Sequence, residues 1–220
     1  MILGMLSSAF HAVLEVLFPK CCPACGGKLV ADEQIICADC LASIPRTEHA
    51  ILEQNGIDLL FQGLIQKEKC TVRYERGASF AYYNKERGMH FRTMIERGKF
   101  GNHPDPQIFY FLGSLAAQEY IDSDIFDEVD CLVPVPLHPC RLRQRGFNQA
   151  EYICKGLSDV LHIPIDTEHL VRTRNNPHQS RSEFAQRKDN VKDLFAIRYP
   201  EEWKNKHILL HRSVLLNLLC

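Results

Sequence analysis

The fold class is indicated most clearly by residues 129–161, which read VDCLVPVPLHPCRLRQRGFNQAEYICKGLSDVL. Its first part, 129–137, is a short apolar run with acids before it and Pro-His-Pro after it, which is typical of a buried parallel strand. A basic loop follows, and a helix is predicted from Asn148, which can cap, with Glu151 three residues later as in a capping box. With a further strand near 163–172, the pattern predicts a right-handed βαβ unit.

The sequence on either side predicts the other elements of an α/β chain. Apolar residues at helical spacing predict an N-terminal amphipathic helix over 2–18, and a cysteine-rich segment follows it. The rest of the chain is predicted to contain a weakly patterned linker at 46–69, a strand within 71–83, helices at 86–97 and 107–120, a polar stretch at 173–192, and short strands at 193–197 and 206–210.

The charge of the chain is nearly balanced overall but uneven along it. The net charge of the 220 residues is −1, which excludes bulk electrostatic attraction to nucleic acid or membrane. Bases gather in two segments: 73–99 has seven against three acids, and 141–192 has ten against six. Since the N-terminus lacks a basic leader and no apolar run reaches the ~18 residues of a membrane span, we expect a cytoplasmic protein.

Four of the ten cysteines have the spacing of a zinc module. Cys22 and Cys25 form one C-x2-C turn, Cys37 and Cys40 form another, and Gly26 permits the backbone angles of the first turn. Cys21 in place of Cys22 would give a C-x3-C turn, and free or disulfide-bonded cysteines are the other alternative. The sequence favours one structural zinc, because four thiolates leave no open position. Residues 1–46 would thus form the helix and the zinc-finger module.

The basic loop after the first predicted parallel strand is the second candidate site. Ligands of open α/β sheets bind at the carboxyl ends of strands, and a helix N-terminus adds free N–H groups. Arg141, Arg143 and Arg145, with Gly146 for close backbone approach, would suit a pyrophosphate or a nucleic-acid backbone. The alternative is an ordinary solvated surface.

The segment PVPLHPCRLRQRGFNQA resembles the signature of the ComF family, competence-associated proteins related to phosphoribosyltransferases. The cysteine module, Lys99-Phe100-Gly101 and the stretch 169–197 are similar to the family as well. The resemblance implies a type I phosphoribosyltransferase-like parallel-sheet domain over 70–220. It also implies natural transformation as the setting, with single-stranded DNA and competence-machinery proteins as partners. It assigns pyrophosphate binding to His138, Arg141, Arg143, Arg145 and Gly146, and a flexible closing loop to 173–192, with Gln179, Ser180, Arg187 and Asn190.

The phosphoribosyl pyrophosphate motif of that fold, two acids followed by Thr-Thr-Gly, is not found in this sequence. After Glu202 there is no Asp or Glu, no Gly follows Gly156 and no Thr follows Thr173. We therefore expect a domain that is incomplete at its C-terminus through truncation or frameshift, with an exposed strand edge and an uncovered apolar patch after 206–210. Catalytic residues are not assigned, and magnesium would be a cofactor only if the site were complete.

Two functions of different classes follow. The first is a catalytically impaired phosphoribosyltransferase-like protein associated with DNA uptake. The second is a non-enzymatic adaptor that binds single-stranded nucleic acid or a protein partner, supported by arginines and aromatic residues that interleave over 73–92. The alternative for that segment is a half-buried strand and helix with core rings and solvated charges.

Overall fold

A computed structural model describes residues 19–30, 35–68, 73–83, 86, 88–100, 104–174, 194–212 and 215–219. The helix predicted over 2–18 and most of the polar stretch at 173–192 lie outside these residues. The described helices are α1 (Ala38–Ala42), α2 (Gly56–Glu68), α3 (Met89–Phe100), α4 (Pro106–Glu119), α5 (Pro139–Arg145) and α6 (Gln149–Leu161). The strands are β1 (Tyr74–Ala78), β2 (Cys131–Pro134), β3 (Leu170–Arg172), β4 (Phe195–Ile197), β5 (Ile208–Arg212) and β6 (Leu215–Leu219).

The main sheet has four strands in the order β1-β6-β5-β2. Strands β2 and β5 are parallel, from the pair Cys131–Ile208 to the pair Pro134–His211, which confirms an α/β fold with a short parallel sheet. Strand β6 pairs antiparallel with both β5 and β1. The prediction that β5 has an exposed edge is therefore wrong. The leucine-rich strand β6 pairs with β5 and satisfies its backbone groups on that side.

The predicted βαβ unit forms only in part. Its first strand and its helix exist as β2 and α6, and the chain then returns alongside β2, where Leu132 and Ile165 form one parallel bridge. The chain leaves the sheet directly afterwards, and β3 pairs antiparallel with β4 in a separate two-stranded sheet. The composition of 163–172 is suited to a strand, but it could not specify the partner.

Helix α6 begins at a side-chain cap and packs closely against α4. Asn148 caps it as predicted, because its side-chain oxygen accepts a hydrogen bond from the Ala150 N–H at 3.2 Å. Glu151 does not complete a capping box and pairs with Lys155 at 2.8 Å. Helices α4 and α6 are in close contact at two glycines. A Cβ on Gly156 would lie 2.6 Å from the Ser114 nitrogen, and one on Gly113 would lie 2.9 Å from the Ile153 carbonyl carbon.

Two other predictions need correction. The supposed linker at 46–69 contains helix α2, whose first turn is held by Asn55: its side-chain oxygen accepts from the Ile57 N–H at 2.8 Å. The central part of the predicted basic loop forms helix α5 instead. His138 caps it, Pro139 occupies the first helical position and Gly146 ends it in the left-handed conformation, with φ of 84°.

The cysteine-rich segment packs against helix α3. Its buried residues Cys22, Ile36 and Cys40 belong to the same hydrophobic core as Phe91 and Met94 of α3. None of the helices in the described part of the chain combines the length and apolar character that a membrane span requires.

Candidate metal centre and anion-binding site

The four predicted cysteines converge at one point. The sulfur atoms of Cys22, Cys25, Cys37 and Cys40 all lie within 4.8 Å of one another, and Cys25 and Cys37 are 3.7 Å apart. The sulfur of Cys21 is exposed and donates to the Pro19 carbonyl, outside this group, so Cys22 provides the first ligand position. None of the eight cysteines that the structure describes is in a disulfide. The arrangement is a candidate metal centre with four sulfur ligands.

Backbone hydrogen bonds form the two turns of this centre. In the first turn the Gly26 N–H donates to the Cys22 carbonyl at 2.8 Å, and Gly26 has a φ of 81°, as a glycine permits. The Gly27 N–H donates to the Cys25 sulfur at 3.3 Å. In the second turn Cys37 precedes α1, and Cys40 lies on that helix. Each turn therefore presents two sulfurs from a fixed backbone.

The protonation of the thiols is consistent with a cation-binding set. Burial opposes ionisation of Cys22, but hydrogen bonds from backbone N–H groups outweigh it and bring its pKa down to about 7. Burial, together with the neighbouring thiols, raises the pKa of Cys40. Thiolates placed this close repel one another, and a divalent cation between them removes that repulsion.

The predicted anion-binding residues lie on α5 and at its two ends. The ring of His138 is engaged as the cap of α5, because Nδ1 accepts from the Cys140 N–H at 3.2 Å. The guanidinium of Arg143 contacts the Cys140 sulfur at 3.6 Å. The guanidinium of Arg145 donates to the Gln149 side-chain oxygen at 2.7 Å and lies over the Phe100 ring, 5.2 Å from its centroid.

Cations from four elements act on one another electrostatically where Arg212 ends β5 and α5 follows β2. This basic cluster consists of Lys99 at the end of α3, Arg141 and Arg145 of α5, Arg172 of β3 and Arg212 of β5. Burial, with the positive charges of Arg145 and Arg212, lowers the pKa of Lys99 to about 8. Burial and Arg141 lower the pKa of Arg145, and burial with Arg141 and Arg212 lowers that of Arg172. Groups that repel one another in this way are stabilised by a bound anion.

Within this cluster, the sequence predicted a common binding site only for the arginines of α5. Arg172 and Arg212 lie in separate segments, and no spacing in the sequence predicts that they meet α5. Lys99 had one indication, the Lys-Phe-Gly that resembles the ComF family. The proposed loop residues Gln179, Ser180, Arg187 and Asn190 lie outside the described residues.

Several residues of the interleaved stretch 73–92 have structural contacts, and Arg87 of that stretch lies outside the described residues. Phe80 and Phe91 are buried in the core, and Arg76 forms an ion pair with Asp124. Tyr83 is different, because it is 38% exposed and has two cations over its ring.

Comparison with known proteins gives partial matches. The chain is 36% identical over 80 residues to the DNA utilization protein YhgH of Escherichia coli K12, a match that covers 36% of this chain and 35% of that protein. It is 34% identical over 71 residues to the protein of the same name from Salmonella typhi, covering 32% of this chain and 31% of that protein. The match thus spans about a third of the length of these curated relatives. No family model and no solved structure matches the chain.

Proposed function

We propose that this protein binds single-stranded DNA at the basic cluster and takes part in the uptake or utilisation of DNA. The single observation that carries the proposal is the convergence of Lys99, Arg141, Arg145, Arg172 and Arg212. The name of the partial relatives, DNA utilization protein, supports a function that involves DNA.

The electrostatics of the cluster favour an extended anion over a small one. The cations come from α3, α5, β3 and β5, so no single loop supplies the positive charge. A phosphodiester backbone has one negative charge per nucleotide and can neutralise several such groups in sequence. The near-zero net charge of the chain implies that this local cluster, and not the whole surface, attracts the polyanion.

The resemblance to the ComF family refines the proposal. We interpret the chain as a phosphoribosyltransferase-like protein of that family, impaired in catalysis, whose retained activity is binding. In this interpretation Arg141, Arg143 and Arg145 bind phosphate, and the competence machinery supplies its protein partners. The centre formed by the four cysteines would hold one structural zinc, since four sulfur ligands in two C-x2-C turns are typical of that ion.

The direct test is the salt dependence of DNA binding. Fluorescence anisotropy with a labelled thymidine oligonucleotide should show affinity that falls steeply with salt. Each neutralised phosphate contributes about 0.7 to the slope of log affinity against log salt for single strands. Replacing Arg141, Arg143 and Arg145 by Ala should therefore reduce the slope by about 2.

A matched control removes the same charge elsewhere. Lys28, Lys67 and Lys206 are exposed and lie outside the basic cluster, so their replacement by Ala should leave the slope nearly unchanged. An arginine triple variant with the wild-type slope would remove α5 from the binding surface. Absence of any binding by the wild-type protein would reject the proposed function itself.

Binding of phosphoribosyl pyrophosphate is the second candidate. The position of the cations after parallel strands and beside the N-terminus of α6 favours it, because such edges bind phosphates. We nevertheless expect weak or no binding, since this sequence supplies no Asp or Glu after Glu202 for the ribose hydroxyls. Isothermal titration at millimolar ligand with magnesium discriminates the two candidates. Clear micromolar binding would favour the enzyme-like function.

A further inference from the structure

Two exposed aromatic rings lie beside the basic cluster. Phe100, the last residue of α3, is 63% exposed although the Arg145 guanidinium lies over its ring. Tyr83 is 38% exposed, and Arg92 and Lys99 lie over its ring at 5.5 Å and 5.7 Å from the centroid. We call Tyr83 and Phe100 the aromatic platform.

The platform is continuous with the cluster. Lys99 and Phe100 are adjacent on α3: Lys99 reaches the Tyr83 ring, and Arg145 lies over the Phe100 ring. The positive charge of Arg145 is also close enough to act on Lys99. Each ring of the platform therefore has a cation of the basic cluster over it.

The geometry of Arg145 keeps part of this surface rigid. Its guanidinium is held by the Gln149 side-chain oxygen at 2.7 Å, and Gln149 is buried in the first turn of α6. A planar guanidinium on an aromatic ring provides a flat surface that is set before any ligand arrives. The large exposed fraction of Phe100 leaves the rest of that ring open to a ligand.

We propose that Tyr83 and Phe100 stack unpaired nucleobases while the basic cluster holds the adjacent phosphates, so that the site selects single strands over duplexes. This inference rests on the proposed function. A base within a duplex is already paired and stacked, and it cannot offer a free face to either ring without unpairing. Stacking is also tolerant of sequence, because every base has a π-face. The expected ligand is therefore a single strand of any sequence.

The experiment compares two ligands with the same backbone charge. Wild-type protein is titrated with a thymidine oligonucleotide of about 20 nucleotides and with an abasic strand of equal length. We expect the thymidine strand to bind at least about five-fold more tightly, the lower limit for one stacked base. Phe100→Leu should remove most of this difference by weakening only the thymidine strand. Tyr83→Leu is a second variant with the same expected direction.

Tyr199→Leu is the matched control. Tyr199 is 67% exposed and lies near His169, beyond the end of the two-stranded sheet opposite to Arg172, so neither affinity should change. Equal affinities of the wild-type protein for the two strands, or no effect of Phe100→Leu and Tyr83→Leu, would overturn the platform and leave phosphate binding intact. If neither strand binds, the proposed function fails and the platform fails with it.

Discussion

Replacement of Gly156 by Ala is expected to destabilise the protein at the contact between α4 and α6. The added Cβ would overlap the Tyr110 carbonyl oxygen and lie 2.6 Å from the Ser114 nitrogen, whereas Cβ atoms essentially never approach other atoms closer than 3.0 Å. Both obstacles are backbone, so the helices must separate. Overpacking of this kind costs up to about 3 kcal/mol, and helix propensity returns about 1 kcal/mol. The net loss of unfolding free energy is about 2 kcal/mol.

The matched control is the same substitution where there is space. Gly63 lies inside α2, and a Cβ there would meet nothing within 4 Å, so Gly63→Ala should stabilise by about 1 kcal/mol. In thermal melts followed by circular dichroism, Gly156→Ala should lower Tm by about 4–8 °C and Gly63→Ala should raise it by about 2–4 °C. A Gly156→Ala variant at least as stable as the wild type would refute the close contact of α4 and α6.

Three further predictions concern the metal centre, the basic cluster and the cap of α6. Elemental analysis should give about one zinc per chain. The zinc should be lost in Cys37→Ser and kept in Cys21→Ser, because the Cys37 sulfur belongs to the group of four and the Cys21 sulfur does not. Zinc retained in Cys37→Ser would reject the ligand set. Affinity for the thymidine strand should fall as pH rises from 7 to above 9, because Lys99 loses its proton near pH 8. The variant Lys99→Arg keeps its charge and should abolish this fall. The same fall in that variant would show that Lys99 is not the group responsible. Asn148→Ala should lower the free energy of unfolding by about 1–2 kcal/mol through loss of the α6 cap, measured by urea denaturation, and an unchanged midpoint would contradict the cap.

Local sequence patterns predicted the features that depend on neighbours in the chain. The cysteine pairs determine their own turns, and the four sulfurs meet as expected. The apolar run of β2 and the Asn148 cap of α6 also depend on a few adjacent residues, and the structure confirms both. The two cysteine pairs are eleven residues apart, and the Asn148 cap joins groups two residues apart.

Features that depend on distant partners could not be predicted in this way. The leucines of β6 read as an uncovered tail, because nothing in the sequence shows that 215–219 folds between β5 and β1. The exposed leucines of α2 hid its helical pattern, since a half-exposed helix lacks a clean apolar face: Leu59 and Leu60 are 59% and 60% exposed. The basic cluster was underestimated for the same reason, because three of its five members come from outside α5.

Helix α3 connects the two candidate sites physically. At its buried side, Met94 and Ile95 pack in the core that also contains Cys22 and Cys40. One turn later the Arg97 guanidinium donates to the Pro23 carbonyl, within the first cysteine turn, at 2.9 Å. The helix then ends with Lys99 and Phe100 at the basic cluster. The cysteine turn is too small to have a core of its own, and an ion that fixes it therefore also fixes the contacts that orient α3. If the basic cluster binds DNA as proposed, a metal in the four-cysteine centre would support that binding by positioning one cation and one ring, with no contact to the strand.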